Sequence, residues 1–198
     1  MDKIDDHLKD LSEIRSMMEK SSKFLSLSGL SGISAGIVAL AGSFFVLQKF
    51  REVKEYGITE DLPFYYISLA VIVLTAALAF AIIFTVRNAR RKNLPVWSIT
   101  AKYLLTSLFI PLAAGGLFSL ILWYRGIPEL IFSSTLVFYG IALLNASKYV
   151  MNEIRYLGIT EIILGLIAGI TYGLIFWAVG FGIVHIAYGI YTYLKYEK

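Results

Sequence analysis

Apolar residues dominate long windows of the chain, and charged residues fall between them rather than among them. Phe24 to Leu47, Leu62 to Val86, Tyr103 to Tyr124 and Leu130 to Ser147 contain no Asp, Glu, Lys or Arg. Crossing about 30 Å of hydrocarbon takes roughly 20 apolar residues in a helix, so each window reads as one span. A fifth apolar region runs from Arg155 to Lys195 with only Glu161 and His185 as ionisable residues. As a single helix it would extend about 58 Å, nearly twice the hydrocarbon thickness, so it must fold back. A turn at Tyr172-Gly173 leaves two helices of workable length. A turn at Gly180-Phe181-Gly182 leaves too little chain before Lys195 for the second.

The pattern predicts an all-α integral membrane protein, a six-transmembrane-helix bundle occupying residues 24–198. Its spans are placed at approximately 24–48, 63–86, 102–124, 128–147, 154–172 and 174–195. Residues 1–23 precede it as a separate cytosolic element. There Ile4, Leu8, Leu11, Ile14 and Met18 recur at spacings of three and four, which makes an apolar stripe on an amphipathic helix. Ala39-Leu40-Ala41 imitates a signal-cleavage site, but six acids and five bases stand ahead of the apolar run, unlike a short basic leader. The first span is therefore expected to stay.

Composition agrees with the pattern. Of 198 residues, 58% are hydrophobic and 16% charged, a balance that suits oil better than a water-covered surface. Charge then sets orientation. Fourteen of the eighteen Lys and Arg fall on the side that carries both termini in a six-span arrangement, so the N- and C-termini are expected in the cytoplasm of a multi-pass protein of the inner or plasma membrane. The same rule accounts for Arg87, Arg90, Arg91 and Lys92 and for the net charge of +4, with no call on nucleic acid. Lack of cysteine excludes disulfides and thiolate chemistry, and two histidines are too few for a protein-only zinc centre.

Small residues mark where helices approach in lipid. Ser28, Gly32 and Gly36 lie four apart in the first span, and Gly165, Gly169 and Gly173 are read as the same glycine-zipper spacing in the fifth. Pro111 removes a backbone hydrogen bond inside the third span and predicts a kink, with Thr106 or Ser107 available to the freed carbonyl.

The sharpest feature is a pair of ionisable groups in oil. With the turn near Tyr172-Gly173, Glu161 and His185 both fall about 17–19 Å from it, level with each other near the bilayer middle. An isolated charge at that depth costs at least about 2.5–3.5 kcal/mol, whereas a facing acid and imidazole can hold a proton between them. Tyr188 shares the His185 face. Glu161, His185 and Tyr188 are thus the candidate site for a proton or small polar ligand, set against the plainer reading of a structural clasp. Asn145 could extend it, though its place near a boundary favours an ordinary loop-adjacent amide.

Three functions follow. A sensory or regulatory membrane protein uses every feature, with residues 1–23 contacting a cytosolic protein. A small proton-coupled transporter or channel subunit would work as a homo-oligomer, because six spans are few for a monomeric carrier. A membrane enzyme comes third, since no P-loop, HExxH, GxSxG or CxxC motif occurs. The chain is therefore read as a non-enzyme with no cofactor and no metal, and with the lipid bilayer as its first partner.

Overall fold

A computed structural model describes residues 27–57 and 61–198. Helix accounts for 83% of the described residues, among which there is no strand. Among the described residues six helical segments follow in order: α1 (Gly29–Tyr56), α2 (Leu62–Arg91), α3 (Ile99–Tyr124), α4 (Leu130–Ala146), α5 (Glu153–Ala168) and α6 (Gly173–Tyr196). The amphipathic helix expected at 1–23, with the start of the first predicted span, lies outside the described residues.

Local chemistry explains the boundaries. Ser28 caps α1, its hydroxyl accepting from the Leu30 N–H at 3.3 Å. At the other end Gly57 takes a left-handed φ of 67° while its N–H reaches the Val53 carbonyl, a closure glycine makes without steric cost. Pro63 stands in the first turn of α2, where a missing N–H costs nothing. Ser98 caps α3 by accepting from Ala101 N–H at 3.1 Å.

Four helices, α1, α2, α3 and α6, are long and apolar enough to cross a membrane. The other two are shorter than the sequence pattern implied. α4 has 17 residues and α5 has 16, or about 26 and 24 Å of helix against about 30 Å of hydrocarbon. The predicted fifth span to residue 172 overran, because α5 ends at Ala168 and residues 169–172 form the reversal, with Ile170 and Tyr172 exposed. Gly173 therefore opens α6 instead of closing α5.

Helices pack side by side as α2–α1–α6–α5–α4–α3, so α2 and α3 flank the bundle although they are consecutive in the chain. The most apolar stretch of α2 has none of its residues buried, the pattern of a helix whose surroundings are lipid. α1 meets α6 along a line of glycines. A Cβ on Gly29 would strike the Gly189 carbonyl and the Tyr193 backbone, and one on Gly36 would meet the Gly182 carbonyl at 2.7 Å. Gly32 lies against Gly189 Cα and the His185 carbonyl. Ser28 belongs to the cap of this line, its hydroxyl donating to Glu197 at 3.0 Å.

Gly165, Gly169 and Gly173 all face α4 or its first turn: Gly165 packs on Leu136 and Val137, Gly169 on Ser133, and Gly173 on Phe132 and the Glu129 carbonyl. Tighter still is the crossing of α4 and α5, where Gly140 and Gly158 each stand against the other's carbonyl. α3 runs unbroken through Pro111. The Thr106 hydroxyl donates to the Lys102 carbonyl at 3.0 Å, and so is spent one turn earlier than the carbonyl that Pro111 frees.

The centre of α6 departs from an ordinary helix. Ala178–Val184 is a π-helical segment between the α-helical stretches Gly173–Trp177 and His185–Tyr196. Wider i→i+5 turns leave carbonyls displaced from the regular ladder and recur at functional positions. This segment has Gly180 against Glu161 and Leu136 on one side, and Gly182 against Leu40 of α1 on the other. Its two glycines let the segment pack closely on these neighbours.

Candidate functional site

Glu161 extends from the middle of α5 and is 0% exposed; His185 follows the π-segment of α6 and is 5% exposed. The bend at 169–172 brings them together, with His185 Nδ1 at 3.2 Å from Glu161 Oε1. Space for the carboxylate comes from Gly180, since a Cβ there would collide with Glu161 Oε2.

Hydrogen bonding defines the imidazole. Nδ1 lies 2.9 Å from the Gly180 carbonyl oxygen. A carbonyl only accepts, so Nδ1 carries the proton. Nε2 lies 2.8 Å from the Tyr139 hydroxyl of α4, and in the neutral ring it accepts the phenolic proton. Because the Nδ1 proton is directed at Gly180, neither Glu161 oxygen accepts a hydrogen bond from the protein. Three helices thus converge on one acid, one imidazole and one phenol.

An aromatic column covers the group toward the 169–172 reversal. Phe181 stacks on His185 with centroids 5.8 Å apart, Tyr139 and Trp177 each lie 4.9 Å from Phe181, and Trp177 Nε1 donates to Thr135 Oγ1 at 3.2 Å. A separate groove of about 310 Å³ runs between α1 and α6, lined by Leu40, Phe44, Leu47, Val179 and Ile183 among others. It lies on the α1 side of the π-segment, and neither Glu161 nor His185 lines it.

Tyr139 is the partner that sequence reasoning passed over in favour of Tyr188. The Tyr188 hydroxyl is buried and hydrogen-bonds to no protein group, so Tyr188 does not complete the pair directly. The usable signal was Gly140: a glycine that lets α4 touch α5 puts the adjacent Tyr139 beside the α5–α6 interface. Asn145 is exposed and adds nothing to the polar group.

At the far end of the hairpin, beyond the apolar stretch, Glu153 opens α5. Its Oε1 accepts from Lys195 and, at 2.9 Å, from the Tyr196 hydroxyl. Burial pushes the Glu153 carboxyl up, but the hydrogen bonds from Lys195 and Tyr196 and the nearby ammonium charge outweigh it and hold the group below the usual carboxylate range. The chain's last turn is tied in as well, because Glu197 accepts from the Ser28 hydroxyl and from the Gly29 N–H at the start of α1. Glu197 therefore fastens the end of α6 to the base of α1.

The chain matches no protein family, no curated protein and no solved structure. Chemistry must speak for function. Among the described residues no three His, Cys, Asp or Glu side chains gather as metal ligands. The buried group of Glu161, His185 and Tyr139 joins three helices through an acid, an imidazole and a phenol.

Proposed function

We propose that this is a regulatory membrane protein in which Glu161, His185 and Tyr139 form a proton-binding clasp whose occupancy sets the packing of α6 against its neighbours. The observation that carries it is the Glu161 side chain, fully buried, 3.2 Å from His185 Nδ1 and hydrogen-bonded by no described protein group. A facing carboxyl and imidazole can hold one proton between them. A proton on the imidazole gives an ion pair and obliges Tyr139 to accept instead of donate. A proton on the acid gives a neutral donor that competes for the carbonyl of Gly180.

Each change acts on α6 at its π-segment, the part already displaced from regular hydrogen bonding. α6 in turn lies on the glycines of α1, and through Glu197 it holds the start of that helix. The chain preceding α1 carries the amphipathic stripe of residues 1–23, which in this reading contacts a cytosolic partner. The bundle crosses the bilayer six times, with α4 and α5 as short spans and both termini inside. This topology rests on the distribution of Lys and Arg and on the four long apolar helices.

Absence of cysteine makes the test direct. Phe44 and Ile175 line opposite sides of the α1–α6 groove and are exposed, so Phe44→Cys with Ile175→Cys accepts a pair of spin labels without background. In lipid nanodiscs the label separation is expected to shift by about 2 Å or more between about pH 5 and pH 8, and to stop shifting in Glu161→Gln. One distribution at both pH values in the otherwise unaltered protein would leave only a structural clasp. Proton flux into proteoliposomes that ceases in Glu161→Gln would assign transport in place of regulation.

A further inference from the structure

Four buried side-chain polar atoms among the described residues make no hydrogen bond within the protein: Glu153 Oε2, Glu161 Oε1, Glu161 Oε2 and the Tyr188 hydroxyl. All belong to α5 and α6. Native interiors seldom leave such atoms bare, and where several occur together ordered water is the usual partner.

Their order along the two helices is informative. Glu153 marks the end of the hairpin near the termini, level with Tyr196, to which it is hydrogen-bonded. Glu161 lies eight residues further along α5, about 12 Å away. Tyr188 lies between these levels on α6, three residues or about 4.5 Å from His185 toward the same end. Lys195, in contact with both Glu153 and the Tyr191 hydroxyl, also stands at this mouth. The opposite direction is sealed by the rings of Phe181 and Trp177.

We propose that Glu153 and Tyr188, bridged by bound water, form a proton route from the inner mouth of the α5–α6 hairpin to Glu161 and His185. It rests on the reading of that pair as a proton site. A proton arriving at water on Glu153 passes to the Tyr188 oxygen as the hydroxyl gives its own proton to the next water. The phenol ends unchanged, and the proton finishes on Glu161 or on the imidazole. Tyr188 is thus a relay, not a member of the clasp.

The test uses the full chain in nanodiscs, with histidine labelled by ¹⁵N and His7→Gln leaving one imidazole to observe. Exchange of the His185 ring proton with water is expected to slow at least tenfold in Tyr188→Phe, while the ring nitrogen shifts keep their wild-type values. Tyr188→Met removes the hydroxyl within a different shape and is expected to slow exchange equally. An unchanged rate in either variant overturns the route. Failure of the proton-site reading looks different: ring shifts in the unaltered Tyr188 protein that do not move between about pH 5 and pH 8.

Discussion

Replacing His185 by phenylalanine is expected to destabilise the bundle by about 2–5 kcal/mol, because it leaves the buried Tyr139 hydroxyl and Gly180 carbonyl without partners at about 1–3 kcal/mol each. The phenyl ring retains the stacking on Phe181 but removes both nitrogens. Tyr139 then loses its 2.8 Å acceptor, the Gly180 carbonyl loses its 2.9 Å donor, and Glu161 loses its 3.2 Å contact with the imidazole. Adding Glu161→Leu to the His185→Phe protein is expected to return only part of the loss, because the apolar pair needs no partner while Tyr139 and the Gly180 carbonyl still lack theirs. Reversible unfolding in bicelles measures both. Equal stability of the single variant and the original protein would mean that the two side chains do not support one another.

Widening the α1–α6 contact is expected to have the second largest effect. Gly189 meets the Gly29 carbonyl and the Ile33 nitrogen, each at 2.6 Å from where a Cβ would stand. These are backbone atoms, so no side chain can swing aside. Gly189→Leu must push the helices apart, and a penalty of about 3 kcal/mol, the upper range for overpacking, is expected. Gly116 supplies the control, because a Cβ there meets nothing within 4 Å. Gly116→Leu should stay within about 0.5 kcal/mol of the parent protein. Thermal unfolding in the same detergent decides between them, and a Gly189→Leu protein as stable as Gly116→Leu would show that the glycine line does not hold α1 to α6.

Some of this was legible in the amino-acid sequence. An apolar region about 58 Å long if helical cannot stay straight in a 30 Å layer, and that length argument alone forces a reversal near Tyr172. The same reversal brings Glu161 to the height of His185, so their meeting follows from counting residues. Gly32 and Gly36 were legible for another reason: a spacing of four keeps both on one helix face, whatever helix lies opposite.

Other features had no one-dimensional signature. α5 stops at Ala168, and Gly169 and Gly173 beyond it lie against Ser133 and Phe132 of α4, a tertiary contact. A π-turn cannot be read from apolar periodicity, and Gly180 and Gly182 stood in the sequence only as weak turn signals. Their use is to clear space for the Glu161 carboxylate and for Leu40. Tyr139 was hidden similarly. A tyrosine in an apolar span suggests a boundary anchor or a packing residue, and only the close crossing of Gly140 with Gly158 makes it a hydrogen-bond partner for a histidine two helices away.

Central to this account is a neutral His185 that donates from Nδ1 to a backbone carbonyl, accepts at Nε2 from Tyr139, and changes state together with Glu161. The most direct measurement is the ¹⁵N spectrum of the His185 ring across about pH 5 to pH 8 in nanodiscs. The account predicts the Nδ1–H tautomer in the neutral ring and a single pH-dependent step that moves or disappears in Glu161→Gln. An Nε2–H tautomer throughout, or a step of unchanged position in Glu161→Gln, would contradict it.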